Sequence, residues 1–156
     1  MLALFTNGLI LILAALLLLA ATGDLKTRII PNWLNATIAL LAIPFWWFSG
    51  KAFFPDVVLG IAIATALVLL FAIAFRVGAM GGGDVKLIGA LALWLDAAAV
   101  LKLLVIMSLA GGVLTLAMLI HRHIAKSRGD LEIPYGVAIS FGGFWLISER
   151  YLNHFG

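Results

Sequence analysis

The chain has 156 residues, 65% of them hydrophobic and 11% charged, with a formal net charge of +3 and a mean hydropathy of +1.21. A soluble domain is nearer half apolar and a quarter charged, so a water-soluble globule of this size is excluded. Cysteine is absent, which excludes disulfides and thiolate metal sites, and so small a net charge gives no indication of a nucleic-acid partner.

The apolar runs are continuous rather than alternating, which argues against a porin-type barrel and for membrane-spanning helices. The first run covers roughly 2–22. No basic segment precedes it, and Lys26 and Arg28 follow it. That order predicts an uncleaved first helix with its N-terminus outside, not a signal peptide. The second run, roughly 32–49, is opened by "IPN" and carries Pro44, a possible kink. The third, roughly 55–77, is opened by Pro55. The fourth, roughly 84–96, is short: residues 85–95 reach only about 17 Å, against a hydrocarbon layer of about 30 Å. The fifth covers roughly 98–121 and the sixth, opened by Pro134, roughly 134–152. Pro31, Pro55 and Pro134 each suit a first helical turn, where a missing N–H is tolerated.

The basic residues orient these runs. Lys26, Arg28, Arg76, Lys86, Arg122, Lys126 and Arg128 fall on one face, and Lys51, Lys102 and Arg150 on the other. The seven-to-three split obeys the positive-inside rule if the short fourth run crosses the membrane. Trp46, Trp47 and Trp145 near run ends fit an interfacial belt, or equally core packing. The expected fold class is therefore all-α: one domain over residues 1–156, a polytopic bundle of six transmembrane helices. All loops are short; the longest is roughly 122–133.

Within this apolar chain the tetrapeptides GDLK (23–26) and GDVK (83–86) stand out. The topology puts Asp24 and Asp84 at the same membrane face, and acids in or near the hydrocarbon are usually functional. Asp130 and Glu132 lie in a polar loop, while Asp56, Asp96 and Glu149 read as solvated anchors at outer ends. Two carboxyl groups brought together cannot both ionise easily and so share a proton. That state suits aspartic proteolysis: one carboxylate takes a proton from water while its protonated partner polarises the scissile carbonyl. The chemistry calls for no metal and no cofactor.

The stretch GAMGGGD (78–84) adds to this. Gly81, Gly82 and Gly83 remove side chains and permit positive φ, so a glycine loop there would let an extended substrate strand approach closely. Lys26 and Lys86 each follow an aspartate by two positions and are candidates for substrate contact or for lipid phosphate, the lipid reading being preferred. The plainer alternatives are an aspartate pair serving a proton or cation pathway, as in a small coupled transporter, and glycines that only pack helices.

GDLKTRIIPN (23–32), MGGGDVKLIGA (80–90) and IPYGVAI (133–139) together resemble the prepilin peptidases, the leader peptidases of type IV pilin-like substrates among the GxGD intramembrane aspartic proteases. The resemblance covers nearly the whole chain and is nearest to the short form associated with Flp-type tight-adherence pili. It implies that Asp24 and Asp84 are the catalytic pair and that Gly81 and Gly83 are the GxGD glycines. It implies a prepilin substrate, cut after a short basic leader at the cytoplasmic face of a bacterial inner membrane, with membrane lipids as the other partner. Long members carry a cytoplasmic domain between the first spans, often with paired cysteines, and also N-methylate the product. Here the corresponding loop is only about 23–31 and cysteine is absent, so the expectation is a peptidase without methyltransferase activity.

Other residues have plainer readings. His121 and His123 in HRH are spaced i, i+2 and point to different helix faces, so they suit a solvated basic end better than a metal site. Pro134 and Tyr135 in IPYG either start the last helix or, as the resemblance suggests, form a wall of the active site with Tyr135 near substrate. Asn32 reads as a helix cap, and Asn35 as a cap or a lining of the polar opening. Gly111–Gly112 and Gly142–Gly143 read as sites of close helix packing.

Overall fold

The computed structural model describes residues 1–125 and 133–152, and among these it is all-helical. The helices are α1 (Leu2–Thr27), α2 (Asn32–Phe48), α3 (Val58–Arg76), α4 (Gly82–Ala92), α5 (Ala97–Ala125) and α6 (Tyr135–Leu152). Three stretches among the described residues are long and apolar enough to cross a membrane: Leu2–Thr27, Phe53–Arg76 and Ala97–Ile124. Leucines and aromatics lie exposed along them, among them Leu4, Leu11, Leu18, Leu69, Ile73, Leu109 and Val113. A water-facing protein rarely presents apolar surface on that scale; a lipid-facing one must. The chain is a membrane protein.

The packing is a ring with two flanking helices. Helices α1, α2, α4 and α6 contact one another in sequence around the ring; α3 packs on α4, and α5 packs on α6. The core runs through the ring, with Leu13, Leu17, Ile38, Phe45, Leu87, Leu91 and Ile139 all buried. Helix α4 sits at its centre. From Asp84 to Ala92 only Lys86 is exposed, so this short helix is apolar on nearly every side because every side meets protein. Two indole N–H groups fasten its far end to α2. Trp46 Nε1 donates to Leu93 O at 2.7 Å, and Trp94 Nε1 donates to Ile38 O at 2.9 Å. Trp46 is thus held in the bundle, whereas Trp47 and Trp145 are exposed.

Several boundaries differ from the sequence expectation. Helix α1 runs on to Thr27, so Asp24 lies in its last turns and not in a loop, and the connection to α2 shrinks to residues 28–31. Nothing before Arg28 breaks the helix, and Thr27 Oγ1 donates back to Gly23 O at 2.9 Å. Pro55 does not open α3; it belongs to an irregular helical lead-in, Phe53–Val57. Pro31 is the residue before α2, and Pro134 the residue before α6. Asn32 does not cap α2: it is already helical, and its Oδ1 accepts from Lys86 Nζ at 2.7 Å. The acids at the helix ends away from the aspartate pair are anchors. Asp96 Oδ1 caps α5 through Ala99 N–H at 2.8 Å, Asp56 Oδ2 accepts from Ala52 N–H at 3.1 Å, and Glu149 pairs with Lys102 at 2.6 Å. Lys126, Arg128, Asp130 and Glu132 lie outside the described residues.

Glycine sets the closeness of the ring at Gly143. A Cβ there would come within 2.7 Å of Leu17 Cδ1 and 3.1 Å of Leu91 Cδ2, so α6 meets α1 and α4 through it. Gly112, by contrast, has nothing within 4 Å of a built Cβ. Gly143→Leu should therefore cost about 1–3 kcal/mol by overpacking, read as a lowered melting temperature in detergent, while Gly112→Ala leaves it unchanged.

Candidate active site

Asp24 and Asp84 arrive from different helices. Asp24 is carried by the last turns of α1, and Asp84 by the first turn of α4. Both are almost fully buried, at 4% and 7% exposure. They line one cavity of about 450 Å³ together with Arg28, Gly78, Ala79, Met80, Gly81, Ile133 and Tyr135. An isolated carboxyl group in an apolar bundle is costly, so its polar partners decide whether the site can exist.

Those partners come from the backbone at the start of α6. The first N–H groups of a helix have no intrahelical acceptor and favour an anion. Val137 N–H is shared between Pro134 O at 3.2 Å and Asp24 Oδ2 at 3.3 Å. The Gly136 backbone passes close to the Asp24 carboxyl group. It can do so because Gly136 has no side chain: a Cβ would lie 2.9 Å from Asp24 Oδ2 and 2.6 Å from Ile30 Cδ1. Asp84 Oδ1 is buried without a hydrogen-bond partner among the described residues.

The three glycines before Asp84 work differently from the loop expected of them. Gly81 is the N-cap of α4 at φ −71°, and Gly82 and Gly83 are already helical. None has positive φ; among the described residues the glycines that do are Gly50 and Gly78. Their use is steric. A Cβ on Gly81 would lie 2.8 Å from Asp84 Oδ2, one on Gly82 would lie 3.2 Å from the Phe75 ring, and one on Gly83 would lie 3.1 Å from Ile30 Cβ. The run lets α4 begin close against its neighbours, with Asp84 folded back over its own N-cap. Asn35 Nδ2 reinforces the position by donating to Gly83 O at 3.1 Å.

The remaining candidates divide. Gly81 and Tyr135 line the aspartate cavity; Gly82, Gly83 and Pro134 do not, and Pro134 is fully buried behind Tyr135. Lys26 is exposed on α1 and lines no part of the cavity. Lys86 points to a separate apolar groove among α2, α3 and α4. His121 and His123 are exposed on the last turns of α5. Gly136, Val137 and Arg28 were not marked as site residues by the sequence. The one available signal for Gly136 was its place directly after Pro134–Tyr135, where a helix starts and a side chain would be in the way.

Comparison with known proteins identifies the family. The type IV leader peptidase family matches residues 11–116. The prepilin leader peptidase/N-methyltransferase of Pectobacterium carotovorum subsp. carotovorum is 31% identical over 138 residues, which is 85% of this chain and 48% of the relative. The chain thus spans about half the length of that relative. No solved structure matches it significantly. With the family matched across both aspartates and most of the bundle between them, the chain belongs to the type IV leader peptidase family.

Proposed function

We propose that the protein is an intramembrane aspartic endopeptidase that removes the short leader from type IV or Flp-type prepilins at the cytoplasmic face of a bacterial inner membrane. The observation that carries this reading is the pair Asp24 and Asp84, delivered by α1 and α4 into one cavity under the amides of α6. Family membership supports the peptidase chemistry and the prepilin substrate. Six crossings with the N-terminus outside complete the proposal. In that orientation Lys26, Arg28, Arg76, Lys86 and Arg122 sit at the helix ends nearest the aspartates, where positive charge marks the cytoplasmic side.

The mechanism follows from the partners of each acid. Asp24 accepts the Val137 N–H and serves as the carboxylate that takes a proton from the attacking water. Asp84, whose Oδ1 has no donor, carries the shared proton and gives it to the scissile carbonyl oxygen. Water oxygen bonds to the carbonyl carbon to give a tetrahedral diol. The proton held by Asp24 then passes to the amide nitrogen, the C–N bond breaks, and Asp84 recovers its proton from the collapsing diol. We assign no methyl transfer to this site: the connection between α1 and α2 is residues 28–31 alone, with no domain inserted there.

Asp24→Asn and Asp84→Asn should each abolish leader removal from a reconstituted prepilin, seen as a missing shift in gel mobility, while the melting temperature in detergent stays near wild type. Full processing by either variant sinks the aspartic assignment. Gly136→Ala places a methyl group against the Asp24 carboxyl and Ile30. It should lower kcat about 10-fold to 100-fold, the scale expected when a catalytic group is displaced.

A further inference from the structure

The aspartate cavity has a third charged wall, Arg28. Its backbone, at φ 57° and ψ 23°, is left-handed, and it is the one non-glycine residue with positive φ among the described residues. Left-handed caps are common at helix ends, but glycine or asparagine normally fills them, because a larger side chain crowds its own carbonyl. The Arg28 N–H closes α1 by donating to Asp24 O at 3.0 Å. A glycine would make that bond without strain, so the cap accounts for the backbone and not for the guanidinium.

The side chain has no structural employment that replaces it. It is half-buried, and its Nη1 is buried with no hydrogen-bond partner among the described residues. It lies near enough to Asp24 to interact with its charge. Yet the ion pair found within 4 Å among the described residues is Lys102–Glu149, not Arg28 with either aspartate. A guanidinium offers five N–H donors, and a buried donor left open is costly. Strain and an open donor at the mouth of a catalytic cavity together mark a place where an acceptor arrives with the ligand.

We propose that Arg28 positions the substrate by donating to a backbone carbonyl of the peptide segment drawn out across Asp24 and Asp84; this rests on the peptidase reading above. A peptide carbonyl fits better than a substrate carboxylate. The cavity already holds two carboxyl groups, and a third would meet their repulsion, whereas a carbonyl satisfies the donor and adds no charge. An extended segment has carbonyls free to accept, because its own helical turn no longer uses them.

The test is steady-state cleavage of a reconstituted prepilin by Arg28→Gly and Arg28→Lys. Arg28→Gly relieves the left-handed strain, so its melting temperature should equal or exceed wild type. Its KM should rise about tenfold or more, the scale of one lost charge-assisted hydrogen bond, with kcat little changed. Arg28→Lys should recover part of that loss. A wild-type KM in Arg28→Gly overturns the proposal. So does an unchanged KM with a displaced pH profile of kcat, which would make Arg28 only a charge beside Asp24. Should Arg28→Gly not accumulate, Arg28→Asn tolerates the same backbone and gives the same readout. A prepilin with its acidic side chains near the cut changed to amides must keep its dependence on Arg28; losing it overturns the carbonyl assignment. Binding of uncleaved prepilin to Asp24→Asn protein, with and without Arg28→Gly, separates the two readings. If the aspartates prove dispensable while binding still weakens, only the catalytic assignment fails. If cleavage needs them and binding ignores Arg28, only this proposal fails.

Discussion

A carboxyl group buried in an apolar bundle needs a backbone donor, and for Asp24 the first turn of α6 supplies one. Side-chain donors are scarce in a chain that is 65% hydrophobic. Helix ends are the one place where such a chain has spare N–H groups. The start of α6 therefore meets Asp24 through Val137 N–H, and the Gly136 backbone passes close to the same carboxyl group. This meeting ties the sixth helix to the first and the fourth, and the ring of α1, α2, α4 and α6 is the framework that makes it possible.

The shortness of α4 follows from the same requirement. Asp84 sits in the first turn of α4, so that turn has to begin at the cavity. Eleven residues, buried on nearly all sides, start the helix inside the bundle, level with the last turns of α1. Its far end then needs anchoring, which Trp46 and Trp94 provide by donating to carbonyls across the α2–α4 contact. The glycines at its near end serve approach, not flexibility. Each faces an atom a methyl group would strike: the Asp84 carboxyl, the Phe75 ring and Ile30.

Arg28 shows how a local cap and a site share one residue. The turn that ends α1 also sets the Asp24 carbonyl as its last acceptor, so the position of the acid and the left-handed backbone after it are fixed together. Residues 28–31 leave no slack between α1 and α2. The guanidinium at this cap lines the cavity that holds both acids.

The amino-acid sequence by itself determined the helical, membrane-embedded character, the order of six helices and the two acids that belong together. These follow from continuous apolar runs and from a costly GDLK/GDVK repeat, both of which are local or pairwise signals. It placed the end of the first helix too early, because Gly23 and Asp24 read locally as a helix end, and the αL cap at Arg28 leaves no mark in composition. It took Gly81–Gly83 for a loop because glycine permits many backbones, and only contacts with Ile30 and Phe75 select the helical one. The tertiary structure alone decided that Lys86 turns away to Asn32, that Val137 lends its amide to Asp24, and that Arg28 joins the cavity. Main-chain donors carry no residue identity, so which of them a carboxylate finds depends on how the helices pack.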